Sequence, residues 1–108
     1  MMNLQEAIRA LSQGQDLTNA QMGDVMRIIM QGDATPAQIG AVLTALHIKG
    51  ETVEELTGAA TVMREFAATV TVKADRVADT VGTGGDGAGL FNVSTAAALV
   101  ACAAGATM

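Results

Sequence analysis

Apolar residues recur at the spacing of an α-helix through the first two thirds of the chain, in four segments that short polar links separate. The first segment carries its apolar residues at positions i, i+3, i+4 and i+7, which share one face of a helix: Leu4, Ala7, Ile8 and Leu11. Similar spacing recurs in the next three segments, in the sets Met22, Val25, Met26 and Ile29, then Ile39, Val42, Leu43 and Leu46, and then Leu56, Ala59, Ala60, Met63 and Phe66. The pattern predicts four amphipathic helices, each with one buried face.

Each predicted helix also begins with residues that can form a capping box, in which two side chains three residues apart accept hydrogen bonds from each other's backbone amides. The four pairs are Asn3 with Glu6, Thr18 with Gln21, Thr35 with Gln38, and Thr52 with Glu55. Glycine follows the first three patterns at positions 14, 32 and 50, as it commonly does where a helix ends. We predict an all-helical unit over residues 1–70, in which short links make successive helices near-antiparallel neighbours.

From Thr69 onward the helical spacing gives way to short β-branched and glycine-rich stretches. Val77–Val81 is predicted to form a strand, and the glycine-rich loop Gly82–Gly89 follows it. Ser94 or Thr95 is then predicted to cap a helix of small residues that ends near position 104.

The order of strand, glycine loop and helix is typical of one unit of an α/β domain, in which helices pack on a parallel sheet. Residues 106–108 resemble the opening of a second strand, so this unit is predicted over residues 75–108. One strand and the start of another cannot form a parallel sheet, and we therefore expect the sequence to stop within this domain. The predicted fold class is a mainly α fragment of an α/β protein: a four-helix unit followed by a first strand, glycine loop and helix.

Composition and charge exclude several classes of protein. The net charge is −5 and the sequence pI is about 4.5, which argues against a surface for nucleic acid or an anionic membrane. The last basic residue is Arg76 and the last charged residue of either sign is Asp86. The single cysteine, Cys102, excludes an internal disulfide, and its alanine-rich setting predicts a buried position. The apolar run Ala96–Ala104 is too short to span a bilayer and no secretion signal precedes the first helix, so we expect a cytoplasmic protein.

The glycine-rich loop and the helix after it carry residues that are suited to bind a phosphate. Glycines let backbone amides converge on an anion, and the amides at a helix start attract negative charge. The hydroxyls of Ser94 and Thr95 can reach a phosphate or supply a neutral oxygen ligand to Mg²⁺. Asn92 can donate to ribose or phosphate oxygens. Asp86 would repel a bare phosphate and is expected to face sugar hydroxyls, metal-bound water or backbone amides.

Other roles of a glycine-rich segment fit the sequence less well. A flexible linker without a ligand would not need the polar residues that flank this loop between a strand and a helix. The glycines from Gly82 to Gly87 match the dinucleotide-binding spacing, but the helix cap is predicted seven residues beyond Gly87 and no acidic residue follows Asp86. A P-loop would require a Gly-Lys-Ser/Thr sequence, which the loop does not contain.

The loop closely resembles the diphosphate-binding signature of the anthranilate phosphoribosyltransferase family. The resemblance is carried by Val-Gly-Thr-Gly-Gly-Asp-Gly over Val81–Gly87, by Asn-Val-Ser-Thr over 92–95, and by the helical lead-in Leu43–Thr52. It covers essentially the whole chain, which would correspond to the opening part of a full-length member. It implies transfer of the phosphoribosyl group of 5-phosphoribosyl 1-pyrophosphate to the amine of anthranilate, with inversion at C1 and release of diphosphate, in tryptophan biosynthesis.

The resemblance also implies which residues bind the substrates, while it implies no catalytic side chain in this chain. Gly82 corresponds to a position that touches both substrates, and Gly85 and Asp86 to positions around 5-phosphoribosyl 1-pyrophosphate. The other implied binding residues are Thr83, Gly84, Gly87, Asn92, Val93, Ser94 and Thr95. Ser94 is the implied ligand of Mg²⁺, the implied cofactor. Leu90 departs from the pattern, because many members have threonine there.

Family members usually dimerise through the helical unit, so the resemblance implies a homodimer; a swapped assembly through the interrupted sheet is a further hypothesis. Their Lys-His-Gly-Asn loop, an arginine and a magnesium-binding acidic pair would all follow Met108. We therefore expect these 108 residues alone to be inactive and to bind 5-phosphoribosyl 1-pyrophosphate weakly or not at all. Two alternatives remain: a pyrimidine nucleoside phosphorylase, whose loop usually reads Ser-Thr-Gly-Gly-Val-Gly-Asp, and a helical dimerisation module without catalysis.

Overall fold

The computed structural model describes residues 1–82 and 92–108 and contains five α-helices within those ranges. The helices are α1 (Leu4–Ser12), α2 (Asn19–Met30), α3 (Pro36–Lys49), α4 (Val53–Phe66) and α5 (Val93–Ala103). The chain divides into two compact units, Met1–Ala68 with the first four helices and Thr69–Met108 with the fifth. No helix in the described ranges is long and apolar enough to cross a membrane.

All four predicted capping boxes are present. Asn3, Thr18, Thr35 and Thr52 each stand at the N-cap, and each exchanges side-chain to backbone hydrogen bonds with the residue three positions on. Such pairs satisfy backbone amides that a helix start would otherwise leave without a partner. The start of every helix in the first unit is therefore set by a contact within four residues of sequence.

The core of the first unit contains seven of the twelve apolar residues that the spacing predicts for α1, α2 and α3, together with Leu17. Its buried members are Leu4, Ala7, Leu11, Leu17, Met22, Val25, Val42 and Leu46. The helices pack mainly as two pairs, α1 with α3 and α2 with α4, and α1 contacts α2 less extensively. The prediction that all successive helices are neighbours is therefore wrong for α2 with α3 and for α3 with α4. On α2, Gly23 faces Val62 of α4, and the absence of a side chain there lets these two helices approach closely.

The buried face of α4 differs from the predicted one. Leu56, Met63 and Phe66 are exposed, and so is Leu43 on α3, whereas the buried residues of α4 are Glu55, Gly58 and Val62. Instead of the predicted apolar face, α4 turns Gly58 toward α2, because the two helices come too close there for a side chain. A Cβ atom at position 58 would collide with the carbonyl oxygen of Asn19.

Glu55 is buried in a hydrogen-bonded ion pair at the junction of three chain segments, with 1% of its surface exposed. Its Oε1 accepts from the Leu17 amide at 2.8 Å, and its Oε2 accepts from the Thr52 amide at 2.8 Å and from Lys49 Nζ at 2.9 Å. Lys49, whose side chain is 5% exposed, also donates to Asp16 Oδ1 at 2.7 Å. The network joins the α1–α2 link to the end of α3 and the start of α4.

The network moves the pKa values of both partners. The hydrogen bond to Asp16, assisted by Glu55, raises the pKa of Lys49 above its ordinary value, although burial opposes this. Burial alone would raise the pKa of Glu55, but hydrogen bonds from the Leu17 and Thr52 amides and from Lys49 outweigh it and lower that pKa. Both side chains are therefore held in their charged forms.

The second unit contains the predicted helix, α5, but no regular strand among its described residues. A single backbone hydrogen bond joins the two segments predicted as strands, from the Ala78 amide to the Thr107 carbonyl at 2.9 Å. One bond does not make a ladder, and the prediction of a regular strand over Val77–Val81 is therefore not met here. Cys102 is exposed, so the prediction that it is buried is wrong. No residue of α5 is buried, because the described residues of the second unit cover this helix only in part.

Candidate functional site

The start of α5 lies where the predicted phosphate-binding residues occur. The helix begins at Val93 and its N-cap is Asn92, whose Oδ1 accepts a hydrogen bond from the Thr95 amide at 2.9 Å. The prediction of a cap at Ser94 or Thr95 is therefore wrong. Asparagine is among the strongest N-cap residues, and here it precedes both hydroxyl residues. As a result, the Ser94 hydroxyl is not used as the cap and stands on the first turn of the helix.

The segment that precedes the glycine loop meets this first turn at Ser94. Thr80 Oγ1 donates a hydrogen bond to the Ser94 carbonyl oxygen at 3.0 Å. Gly82 lies so close that a Cβ atom there would be 3.2 Å from Ser94 Oγ. Thr80 and Gly82 thus both approach one serine, the first at its backbone and the second at its side chain.

The structure places five of the ten predicted site residues at this junction: Gly82, Asn92, Val93, Ser94 and Thr95. Asn92, Val93 and Thr95 are exposed and Ser94 is half-buried, so their polar groups are accessible to a ligand. The other five, Thr83, Gly84, Gly85, Asp86 and Gly87, lie outside the described residues, as does Leu90.

Sequence reasoning missed Thr80. The pattern assigned it only to a predicted strand, whereas the structure shows its hydroxyl bonded to a residue 14 positions away. The signal that could have found it is a hydroxyl side chain two positions before the first glycine of a loop, close enough to reach the helix that follows.

The donor set at the start of α5 is neutral. Ser94 and Thr95 supply hydroxyls, Asn92 supplies an amide, and no acidic residue stands in the first turn. Within residues 1–82 and 92–108, no three His, Cys, Asp or Glu side chains converge as a metal site would require. Mg²⁺ usually keeps several waters and is held by few protein ligands together with substrate phosphates. Ser94 offers a neutral hydroxyl oxygen, a ligand type that Mg²⁺ accepts beside substrate phosphates and waters.

Comparison with known families agrees with this arrangement. Residues 5–67 match the helical bundle domain of a glycosyl transferase family, and residues 74–108 match the a/b domain of the glycosyl transferase family. The first match alone spans more than half of the chain, and the chain belongs to this glycosyl transferase family.

Curated relatives make the resemblance more specific. The chain is 60% identical over 104 residues to an anthranilate phosphoribosyltransferase of Saccharophagus degradans, covering 96% of this chain and 30% of that protein. It is 57% identical over 104 residues to that of Teredinibacter turnerae, with the same coverage. Identity to that of Alkalilimnicola ehrlichii is 58% over 105 residues, which are 97% of this chain and 31% of the relative. The resemblance is thereby confirmed, and the chain spans about 30% of the length of these relatives.

Proposed function

We propose that this chain supplies the helical unit and part of the diphosphate site of an anthranilate phosphoribosyltransferase. The reaction transfers the phosphoribosyl group of 5-phosphoribosyl 1-pyrophosphate to the amine of anthranilate and gives N-(5-phosphoribosyl)anthranilate and diphosphate. The observation that carries the proposal is the junction at which Gly82 and the hydroxyl of Ser94 meet at the start of α5. The names of the relatives, which match over nearly the whole chain, support it.

The proposed chemistry is mainly departure of the leaving group. The amine nitrogen forms a bond to ribose C1 while the C1–O bond breaks, its electron pair goes to the diphosphate oxygen, and the amine proton passes to solvent. Negative charge grows on the diphosphate, where the hydroxyls of Ser94 and Thr95, the side-chain NH₂ of Asn92 and the backbone amides of Val93 and Ser94 would stabilise it. Mg²⁺, when bound, would supply positive charge to the same oxygens. The amine is already a nucleophile, so no general base is required of this chain.

The loop residues Thr83–Gly87 are proposed as further contacts to the same substrate, through their backbone amides. No lysine or arginine follows Arg76, so additional cationic groups are needed to hold a polyanion. The 108 residues alone are therefore expected to show no turnover. We keep the cytoplasm as the proposed compartment, because a single cysteine gives no disulfide that would indicate an oxidising one.

Replacing Ser94 tests the proposal. The assay uses the extended chain, defined as these 108 residues continued by the remaining part of the Saccharophagus degradans relative. Ser94→Ala is expected to lower kcat/KM for 5-phosphoribosyl 1-pyrophosphate about 100-fold, because one preorganised oxygen at the diphosphate is lost. The Mg²⁺ concentration that gives half-maximal rate is expected to rise as well. Steady-state rates at varied substrate and Mg²⁺ measure both quantities.

The control is Thr57→Ala on α4, where the lost hydroxyl bonds only the Val53 carbonyl of its own helix. This variant is expected to keep the activity of the unmodified extended chain. Full activity and unchanged Mg²⁺ dependence in Ser94→Ala would contradict the proposed role. Phosphorolysis of thymidine instead of transfer to anthranilate would favour the nucleoside phosphorylase, and a folded dimer with neither activity would favour a dimerisation module.

A homodimer through the helical unit belongs to the same proposal. It is supported by an apolar groove of about 770 Å³ between α1 and α3, with Ile8, Leu11, Ala41 and Ile48 among its lining residues. Ile48 is 79% exposed although it is aliphatic, and exposed apolar surfaces of this kind often mark interfaces.

Ile48→Glu is expected to convert the dimer to a monomer, because a second copy would have to bury the new carboxylate without a partner. Sedimentation velocity of the 108-residue chain over a range of concentrations measures the change. Val53→Glu is the matched control, since Val53 is 78% exposed and lies outside the groove. A dimer that persists in Ile48→Glu would exclude the groove and favour a swapped assembly through the second unit.

A further inference from the structure

We infer that Thr80 is a positioning residue of the diphosphate site: its hydroxyl fixes the first turn of α5 through the Ser94 carbonyl and thereby sets where the Ser94 hydroxyl points. The inference rests on the proposed function, since it concerns how the same site is held. Thr80 itself touches no reacting atom and acts through Ser94.

Two residues of one short segment, Thr80 and Gly82, lie close to Ser94. Thr80 Oγ1 donates a hydrogen bond to the Ser94 carbonyl oxygen at 3.0 Å. A Cβ atom built at Gly82 would lie 3.2 Å from Ser94 Oγ, so the glycine backbone is close to the serine hydroxyl. The first contact fixes the backbone of the serine and the second limits the space of its side chain. Thr80 thus holds the serine close to Gly82, where a Cβ atom would make a tight contact with the serine hydroxyl.

Among residues 1–82 and 92–108, few other contacts hold the start of α5 in place. The helix has no buried residue, and Leu99 and Val100 are exposed. Among the described residues, one further hydrogen bond joins the segment before the glycine loop to the segment after it. It runs from the Ala78 amide to the Thr107 carbonyl, which lies beyond the C-terminal end of α5. Loss of the Thr80 hydroxyl is therefore expected to let the first turn shift, and a misplacement of about 1 Å at a substrate-positioning group can cost about 100-fold in rate.

Thr80→Val and Thr80→Ser separate the hydroxyl from the shape of the side chain. Valine keeps the branched shape and removes the donor, whereas serine keeps the donor. In the extended chain, Thr80→Val is expected to lower kcat/KM for 5-phosphoribosyl 1-pyrophosphate about tenfold, the effect of one lost hydrogen bond at the upper end of its usual range. Thr80→Ser is expected to stay within about twofold of the unmodified chain. Thr61→Val, which removes an exposed hydroxyl bonded within α4, is the control.

A double-mutant cycle distinguishes positioning through Ser94 from a general loss of structure. When Ser94 is already alanine, removal of the Thr80 hydroxyl is expected to lower kcat/KM clearly less than the roughly tenfold loss expected with Ser94 present, because the serine hydroxyl is gone and only the other groups of the first turn remain to be positioned. The KM for anthranilate and the thermal unfolding temperature are expected to stay unchanged in Thr80→Val. Fully additive effects of Thr80→Val and Ser94→Ala, or unchanged kinetics in Thr80→Val, would overturn the inference.

A second readout does not depend on activity. The chain contains two serines, Ser12 and Ser94, so ¹³C labelling of serine carbonyl carbons gives two NMR signals in the 108-residue chain. Thr80→Val is expected to move the Ser94 signal and leave the Ser12 signal in place, and Thr80→Ser is expected to restore it. If the extended chain neither binds nor turns over substrate, the proposed function fails while this contact can still be verified. An unmoved Ser94 signal would overturn the inference even if the enzyme is active.

Discussion

Replacing Glu55 by alanine is expected to lower the free energy of unfolding of the helical unit by about 3–5 kcal/mol, the usual cost of removing one partner of a buried ion pair. The carboxylate accepts from two backbone amides and from Lys49, and the lysine side chain is itself 5% exposed. Without Glu55, the Leu17 amide loses its partner in a buried position, and the Lys49 ammonium keeps only Asp16 and the Gly50 carbonyl. Urea unfolding of the 108-residue chain, followed by circular dichroism, measures the loss.

Glu65→Ala is the matched control on the same helix. Glu65 is also ion-paired, with Arg27 at 3.0 Å, but both side chains are about half exposed. Exposed ion pairs contribute at most about 1 kcal/mol, so this variant is expected to unfold at nearly the same urea concentration as the unmodified chain. Equal losses in the two variants would show that burial of the Glu55 network adds nothing.

The same network predicts how stability changes with pH. The pKa of Glu55 is lowered on folding, so its contribution is present above the ordinary carboxyl value of 4.5 and is lost as the pH falls through the lowered pKa. The pKa of Lys49 is raised, so its contribution is present below 10.5 and is lost as the pH rises through the raised pKa. As the pH falls below 4.5, the free energy of unfolding is therefore expected to decrease less in Glu55→Ala than in the unmodified chain.

Gly58→Ala is expected to lower the free energy of unfolding by about 1–3 kcal/mol, as overpacking of a close helix contact does. The new Cβ would collide with the backbone carbonyl of Asn19, which cannot move without separating α2 from α4. The better helix propensity of alanine, up to about 1 kcal/mol, offsets only part of this cost. The same urea experiment measures the net effect.

Gly23→Ala is the control at the same pair of helices. A Cβ at Gly23 would lie 3.6 Å from Val62 and from Arg27, which is ordinary van der Waals contact. Alanine there is expected to be neutral or to stabilise the chain by up to about 1 kcal/mol, because the propensity gain meets no collision. A stabilising effect in Gly58→Ala would contradict the close approach of α4 to Asn19.

The starts of the first four helices could be predicted because each depends on a few neighbouring residues. The capping boxes, from Asn3 with Glu6 to Thr52 with Glu55, are complete within four positions of sequence. The buried face of α4 could not be predicted in the same way. Glu55 is buried because the Leu17 amide, 38 positions earlier, and Lys49 surround it, and a spacing pattern treats a glutamate as exposed.

The candidate site shows the same division. The order of glycine and hydroxyl residues along the chain predicts Gly82 and Ser94 as site residues, and the family that this order indicates is confirmed. The cap at Asn92 was missed because three polar residues within four positions, Asn92, Ser94 and Thr95, could each serve as an N-cap. Thr80 was missed because its partner lies across the glycine loop, and no local pattern reports that contact.

We propose that the backbone between Val81 and Asn92, with the hydroxyls at the start of α5, binds a Mg²⁺-bound diphosphate. Isothermal titration of the extended chain with 5-phosphoribosyl 1-pyrophosphate, first with Mg²⁺ and then with a chelator, measures this binding. We expect saturable binding with Mg²⁺ that weakens in the chelator, and a smaller difference between the two conditions in Ser94→Ala. A folded extended chain that shows no affinity for any phosphorylated ribose in the presence of Mg²⁺ would contradict the proposal.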